Sequence, residues 1–196
     1  RILFNGNGYD DTWIREAVLE RGLCNYPTTP DCIPHCLDEK NLRMLTAQGV
    51  FTPAELTSRC EIQLDNYCKT VIIEANTMID MARKEILPAV SAYTASLSTG
   101  IAAKRAAAPG LACLYETGLV RRLSDLADGI ARKTDDLEQA LQALHGAPDV
   151  TEEAYAIRDR VIGRMDALRA SADEAETLTA EAYWPFPTYG KLLFGI

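Results

Sequence analysis

Apolar side chains recur at helical spacing through the middle of the chain. Successive steps of four, four and three residues place them on one face of a helix. Thr52 and Glu55 have the spacing of a capping box, with Pro53 at the first helical position. The pattern predicts a long helix from Pro53 to Ser98, with Gly100 closing it. Pro88 should bend this helix or end it near Leu87, because proline cannot donate a backbone hydrogen bond. The apolar positions are Leu56, Cys60, Leu64, Tyr67, Val71, Ala75, Met78, Ala82, Ile86, Val90, Tyr93 and Leu97.

Two further long helices are predicted in the second half of the chain. The first follows the Pro109-Gly110 break and ends near residue 144, with a seven-residue apolar repeat typical of helix packing. The second should begin at Thr151, a good N-cap residue. Short connections between long helices favour antiparallel neighbours. The repeats are Leu123, Ile130, Leu137 and Leu144 in one helix, and Ile157, Val161, Met165, Leu168, Ala172, Ala175 and Leu178 in the other.

The two ends of the chain have a different character. Residues 2–4 are apolar and predict a short strand, and the rest of the first quarter is broken by glycine, asparagine and proline. Residues 184–190 contain two prolines and predict an extended, non-helical tail. We therefore predict an all-α fold in three parts. These are a turn-rich segment at 1–51, an antiparallel bundle of about three long helices at 52–183, and an extended docking tail at 184–196.

Large aromatic residues at both ends are candidates for an interface. Each aromatic side chain buries roughly 150–250 Å² when it packs, and only 7% of the residues are aromatic. An aromatic tail should therefore dock on something, either within this chain or on a partner. The candidate interface residues are Trp13, Trp184, Phe186, Tyr189 and Phe194.

Composition and charge exclude some classes of partner and location. The formal net charge is −8, and the basic residues are interspersed with acidic ones, so we expect no nucleic-acid partner. No uninterrupted apolar run approaches the roughly 20 residues that span a bilayer, and no signal peptide is recognisable. We therefore expect no membrane association and a cytoplasmic location.

Two polar features are candidate sites of chemistry. Cys32, His35 and Cys36 share helical spacing and superficially resemble half of a zinc site, but Pro34 disturbs the turn and paired cysteine motifs are lacking. Buried free thiols are the favoured interpretation. Glu74 lies in an apolar stretch and is the candidate buried polar residue, either a functional carboxylate or, the favoured alternative, a partner in an ion pair or hydrogen bond with a neighbouring helix. No catalytic, cofactor-binding or metal-binding residue is predicted.

Several short segments carry a resemblance that runs from near the first residue to near the last. In order and content they resemble the region that follows the catalytic core in type III glutamine synthetases. The likeness is weakest at residues 101–150, which match only in helical character. The segments are FNGNGY at 4–9 with Trp13, ERGL at 20–23, EKN at 39–41, GVFT at 49–52, IEANTMIDMAR at 73–83 and WPFPTYG at 184–190.

The resemblance implies a parent enzyme that joins ammonia to glutamate with ATP, using magnesium or manganese, in a homo-oligomeric ring. No catalytic motif of that family falls on a numbered position here, so the resemblance implies a non-catalytic C-terminal domain. Its partners would be the upstream catalytic domain and neighbouring subunits. Two alternatives stay open: a regulatory helical module of the same enzyme, or an independent coiled-coil adaptor.

Overall fold

The computed structural model of the chain describes residues 3–194 and confirms the all-α prediction. No strand occurs among the described residues. The chain divides into two compact units, Arg1–Tyr67 and Cys68–Ile196, which are described separately below. The α-helices are α1 Asp11–Arg15, α2 Thr29–Cys32, α3 Glu39–Ala47, α4 Pro53–Met81, α5 Leu87–Ala107, α6 Leu114–Gln142, α7 Val150–Ala156, α8 Gly163–Leu178 and α9 Tyr189–Leu193.

The first unit begins with a short helix that widens before it ends. The Asp10 carboxylate accepts a hydrogen bond from the Thr12 amide at 2.7 Å and so caps α1. A π turn, Glu16–Glu20, continues the helix. Gly22 then adopts a φ of +64°, a conformation in which side chains with a Cβ are strained, and the helix ends there.

Two short helical segments and the start of α4 complete this unit. The N-cap of α2 is Thr28, and a 3-10 turn, Ile33–Leu37, follows the helix. In α4 the apolar stripe is buried as predicted, at Leu56, Cys60 and Leu64.

The predicted strand at residues 2–4 is wrong for the two residues that the structure describes, Leu3 and Phe4. Residue 2 lies outside the described part of the chain. A strand forms only when a partner satisfies its backbone groups, and the described residues provide no second strand. The Phe4 side chain instead packs on α1.

The predicted capping box at the start of α4 is confirmed. The Thr52 amide donates to Glu55 Oε2 at 2.8 Å, and the Glu55 amide donates back to Thr52 Oγ1 at 3.3 Å. Hydrogen bonds from the Thr52 backbone and side chain lower the pKa of the Glu55 carboxyl.

Replacement of Thr52 by alanine should therefore destabilise the chain by about 1 kcal/mol, the usual value of an N-cap. Because the pKa of Glu55 is depressed by folding, its contribution is present above the ordinary glutamate pKa and is lost as pH falls through the folded value. Urea unfolding of both proteins at neutral pH and below pH 4 measures this. If the free energies of unfolding of wild type and Thr52→Ala differed by the same amount in acid as at neutral pH, the reciprocal cap would be contradicted.

In the second unit one continuous helix passes through Pro88. Of the two alternatives predicted at Pro88, a bend or an end, the end is wrong, because α5 continues through Pro88 after a π turn, Ala82–Ile86. In that turn the Leu87 amide donates to the Ala82 carbonyl, five residues back. The wider turn gives the proline ring room. The predicted end at Gly100 is also wrong, since α5 continues to Ala107.

Helix α6 is the central element of this unit and packs against both α5 and α8. Its predicted seven-residue repeat is buried, and Leu123, Ile130 and Leu137 are fully inaccessible. Across from it, Leu168 and Ala175 are buried on α8, and Ile157 and Val161 are buried on the π turn, Ile157–Ile162, that precedes α8. The N-cap of α7 is Asp149, whose carboxylate accepts from the Thr151 and Glu152 amides. The predicted cap at Thr151 is therefore two residues late.

Ion pairs on the surface join α6 to its neighbours. Arg83 Nη2 lies 2.8 Å from Asp135 Oδ1, and Arg83 Nη1 lies 3.0 Å from Glu138 Oε1. The guanidinium lowers the pKa of the Glu138 carboxyl. On the other side, Arg122 Nε donates to Glu174 Oε1 at 2.8 Å. These pairs are exposed, so they orient the helices more than they stabilise them.

The helix over residues 53–107 bears on the expectation of no membrane association. It contains a stretch with a mean hydropathy of 1.3 and is long enough to cross a bilayer. Serine and threonine interrupt its apolar residues, so the stretch is not an uninterrupted apolar run. One such helix is weak support for a membrane span, since helices of soluble proteins pass the same criterion.

The tail is non-helical over residues 184–187, as its prolines predict. The prediction of an extended conformation up to Gly190 is wrong, because Thr188 caps a short helix, α9. The Thr188 hydroxyl accepts a hydrogen bond from the Lys191 amide at 3.4 Å. The second proline lies just ahead of this cap and does not interfere with the helix.

Candidate interaction surface

An aromatic cluster with a central arginine fixes the start of the first unit. The Phe4 and Trp13 rings stack with their centroids 4.2 Å apart. The Arg21 guanidinium lies 5.5 Å from the Phe4 ring and 5.0 Å from the Trp13 ring, within cation–π range. Arg21 also donates to Glu16 Oε1 at 2.9 Å and to the Leu3 carbonyl. Trp13, a predicted interface residue, is thus half-buried against its own unit.

Large apolar side chains around this cluster remain exposed. Tyr9 is 99% exposed and Leu19 is 75% exposed. Exposed apolar side chains that occur close together in sequence often mark a surface that a partner covers. We call these residues the N-terminal apolar group; its members are Leu3, Tyr9, Ile14, Val18 and Leu19.

The predicted tail residues Trp184 and Phe186 pack against the bundle of the second unit. Their rings meet edge to face, with centroids 6.1 Å apart. Upstream, the Tyr183 ring lies 5.1 Å from the Tyr93 ring on α5. The two tail aromatics line a groove of about 360 Å³, together with Met78, Met81, Ala82, Ile86, Leu168 and Ala172.

Within the described part of the chain, one tail residue keeps an unpaired polar group and another keeps an exposed aromatic side chain. The indole N–H of Trp184 is buried without a hydrogen-bond partner there, and a buried donor of this kind is costly. Phe194, another predicted interface residue, is 77% exposed. Tyr189 begins α9, and its side chain lies outside the described part of the structure.

Glu74 is not the buried polar residue that the sequence predicts, because its side chain is exposed. The buried stripe of α4 passes through Val71, Ala75 and Ile79. Glu74 lies at the edge of that stripe, where its carboxylate reaches solvent. An apolar sequence neighbourhood does not bury a residue when the neighbours themselves face outward, as Ile73 does.

The Cys32, His35 and Cys36 segment is a surface feature. Cys32 is exposed and Cys36 is half-buried, so the interpretation as buried thiols is wrong for Cys32. His35 Nδ1 lies 2.9 Å from Asp38 Oδ2, and its ring stacks on Tyr26 at 3.9 Å. Within residues 3–194, no group of three His, Cys, Asp or Glu side chains is arranged to hold a metal ion.

Sequence reasoning missed the role of Arg21, which links both aromatic rings to Glu16. The signal was present, because arginine five residues after a glutamate can reach it across a widened helical turn. It also missed the groove beneath the tail, since Met78 and Leu168 are far apart in sequence and periodicity does not identify their partners.

Comparison with known proteins identifies the fold's family. The family model described as the glutamine synthetase C-terminal domain matches residues 1–105. The chain belongs to the glutamine synthetase C-terminal domain family. The match ends where the sequence resemblance becomes weakest, at the end of α5.

Relatives align along the whole domain. A glutamine synthetase of Butyrivibrio fibrisolvens is 38% identical over 196 residues, which is 100% of this chain and 28% of the relative. A type-3 glutamine synthetase of Dictyostelium discoideum is 27% identical, covering 99% of the chain and 27% of the relative. A glutamine synthetase of Bacteroides fragilis (strain YCH46) is 26% identical, covering 98% of the chain and 27% of the relative. The chain thus spans little more than a quarter of the length of these curated relatives.

Proposed function

We propose that this domain is a structural and assembly element of an ATP-dependent glutamine synthetase. The parent enzyme would join ammonia to glutamate in the cytoplasm, and its active sites would form in an upstream catalytic domain. The observation that carries the proposal is the alignment of all 196 residues with just over a quarter of a glutamine synthetase. The rest of such an enzyme supplies ample sequence for a catalytic domain.

The exposed apolar residues of the first unit support a docking role. The N-terminal apolar group lies ahead of α1, on α1 and on the π turn that follows it, next to the Arg21 cluster. Such a preorganised surface loses little conformational freedom on binding. The partner we propose is the upstream catalytic part of the same polypeptide, with neighbouring subunits of a homo-oligomeric ring as further partners.

The domain itself would supply neither the nucleotide site nor the metal ligands. In the parent enzyme we assign ATP and magnesium or manganese to the upstream part, because the domain carries no recognisable motif for either. We therefore expect the isolated domain to be inactive in glutamine synthesis.

Separate expression of this domain and of the upstream polypeptide tests the proposal. Neither piece alone should form glutamine from glutamate, ammonia and ATP at the rate of the intact enzyme. Mixing them should restore activity, together with a complex visible by size-exclusion chromatography with light scattering.

Two results would contradict the proposal. One is an upstream piece that assembles and turns over like the intact enzyme without this domain, which would favour the regulatory interpretation. The other is a folded domain that binds neither the upstream piece nor the intact enzyme, which would favour an independent adaptor. Circular dichroism of each piece separates failed folding from failed binding.

A further inference from the structure

Two cysteines of the first unit that are far apart in sequence line the same cavity. Cys36 lies on the 3-10 turn Ile33–Leu37, and Cys60 lies in α4. The cavity has a volume of about 310 Å³ and is walled mainly by the apolar side chains of Met44, Leu45, Phe51 and Leu56. The polar side chains in its walls are those of Asn41, Arg59 and Gln63.

The contacts of Cys60 place it against the turn that carries Cys36. The Cys60 thiol donates to the carbonyl of Ile33, the first residue of that turn, with Sγ and O 3.8 Å apart. It also interacts with the Cys36 thiol itself. Burial, and then this neighbour, raise the pKa of Cys60 above the ordinary thiol value.

The two thiols differ in their access to solvent. Cys60 is buried and Cys36 is half-buried. A soluble oxidant can therefore reach Cys36 first, with Cys60 held behind it. This arrangement of an accessible thiol beside a resolving thiol is typical of cysteines that oxidise reversibly.

We propose that Cys36 and Cys60 form a redox modification site, at which a hydroperoxide converts the two thiols into a disulfide. The site is independent of the assembly role proposed above. It would join the 3-10 turn to α4 and enclose α3 in a covalent loop.

The chemistry proceeds in two balanced steps. The Cys36 thiolate attacks the distal oxygen of the hydroperoxide and breaks the O–O bond, which gives a sulfenic acid and, after protonation, an alcohol or water. The Cys60 sulfur then attacks the Cys36 sulfur. The S–S bond forms, the S–O bond breaks, and the hydroxide leaves as water with the proton from Cys60. The thiols lose two electrons and the peroxide gains them.

Hydrogen peroxide treatment of the full chain, followed by alkylation and tryptic mass spectrometry, tests the proposal. Trypsin cleavage after Arg21, Lys40, Arg59 and Lys69 separates the two thiols into peptides 22–40 and 60–69. We expect a disulfide-linked pair of these peptides, with fragmentation spectra that assign the bond to Cys36 and Cys60. A reductant should remove the link.

Matched variants decide which thiol of peptide 22–40 takes part, and the fragmentation spectra distinguish Cys60 from Cys68 in peptide 60–69. The exposed Cys24 and Cys32 share a peptide with Cys36, so Cys24→Ser/Cys32→Ser is the control that should keep the link. Cys36→Ser should lose it. Oxidised wild type should also unfold several degrees above reduced wild type, because the bridge restrains the unfolded chain, and Cys36→Ser should show no such shift.

Persistence of the link in Cys36→Ser would overturn the proposal, because another thiol would then be the partner. So would wild-type protein in which Cys36 proceeds to sulfinic acid without forming the bridge. The wild-type spectra alone decide the second case, so the test stands even if a variant fails to fold.

Discussion

Replacement of Leu137 by alanine should destabilise the second unit by about 2–5 kcal/mol, the range for a leucine removed from a packed core. Leu137 is fully inaccessible, and its helix, α6, packs against both α5 and α8. The truncation leaves a cavity that α5 or α8 could fill only if the whole helix moved. Few other single changes in this chain should cost as much.

Leu114→Ala is the matched control, because it makes the same substitution at the first position of the same helix. Leu114 is 80% exposed, so its loss should change stability by no more than about 0.5 kcal/mol. Urea unfolding followed by far-UV circular dichroism measures both proteins. Equal losses at the two positions would mean that α6 is not the centre of the unit.

The burial of Leu137 was predictable from the spacing of apolar residues along α6. A seven-residue apolar repeat leaves a helix only one way to remove its leucines from water, so Leu123, Ile130 and Leu137 had to face other helices. The Thr52–Glu55 cap was predictable for a similar reason, since both partners lie within one turn. Structure can therefore be predicted from sequence where the interacting residues lie within one helical turn, or where apolar residues occupy one face of a helix.

Features that depend on distant partners were not predictable in the same way. The sequence predicts that Pro88 disturbs the helix, but not that a preceding π turn absorbs the disturbance. It places Cys36 and Cys60 in separate segments and does not bring them to one cavity. Aromatic composition predicts that Trp184 and Phe186 belong to an interface, but it does not predict the groove that they line with residues from α4 and α8.

Glu74 shows a limit of reading burial from neighbours. Its surroundings in sequence are apolar, yet the helix turns it toward solvent while Ala75 is fully buried. A helix face is about 100° wide, so one residue of displacement separates core from surface. The prediction of a buried Glu74 rested on the apolar composition around it, whereas its position around the helix axis decides its exposure.

Replacement of Leu19 by aspartate should weaken association of this domain with the upstream part of the enzyme by at least about tenfold. Burying a leucine contributes roughly 1.5–3 kcal/mol, and each 1.4 kcal/mol is a factor of ten in affinity. A carboxylate in the same place would in addition have to lose its hydration. Since Leu19 is largely exposed in the domain, the variant should fold as wild type does.

We expect the N-terminal apolar group to form the contact because it lies close to the point at which the upstream part would be connected. In the proposed parent enzyme the upstream part would connect directly to the start of this domain, so the two parts would meet at a high effective concentration. Apolar side chains nearest that connection are the ones most readily covered. Leu114→Asp makes the same change at an equally exposed leucine on α6 and should leave association intact.

Binding measured by biolayer interferometry between the domain and the upstream polypeptide distinguishes the two variants, and thermal unfolding checks that both are folded. Loss of binding in Leu19→Asp alone assigns docking to the first unit. Loss in Leu114→Asp alone would instead move the contact to the start of α6, and the role of the N-terminal apolar group would have to be abandoned. Full-length enzyme carrying each change provides a second readout, because defective docking should lower glutamine formation while the upstream part stays folded.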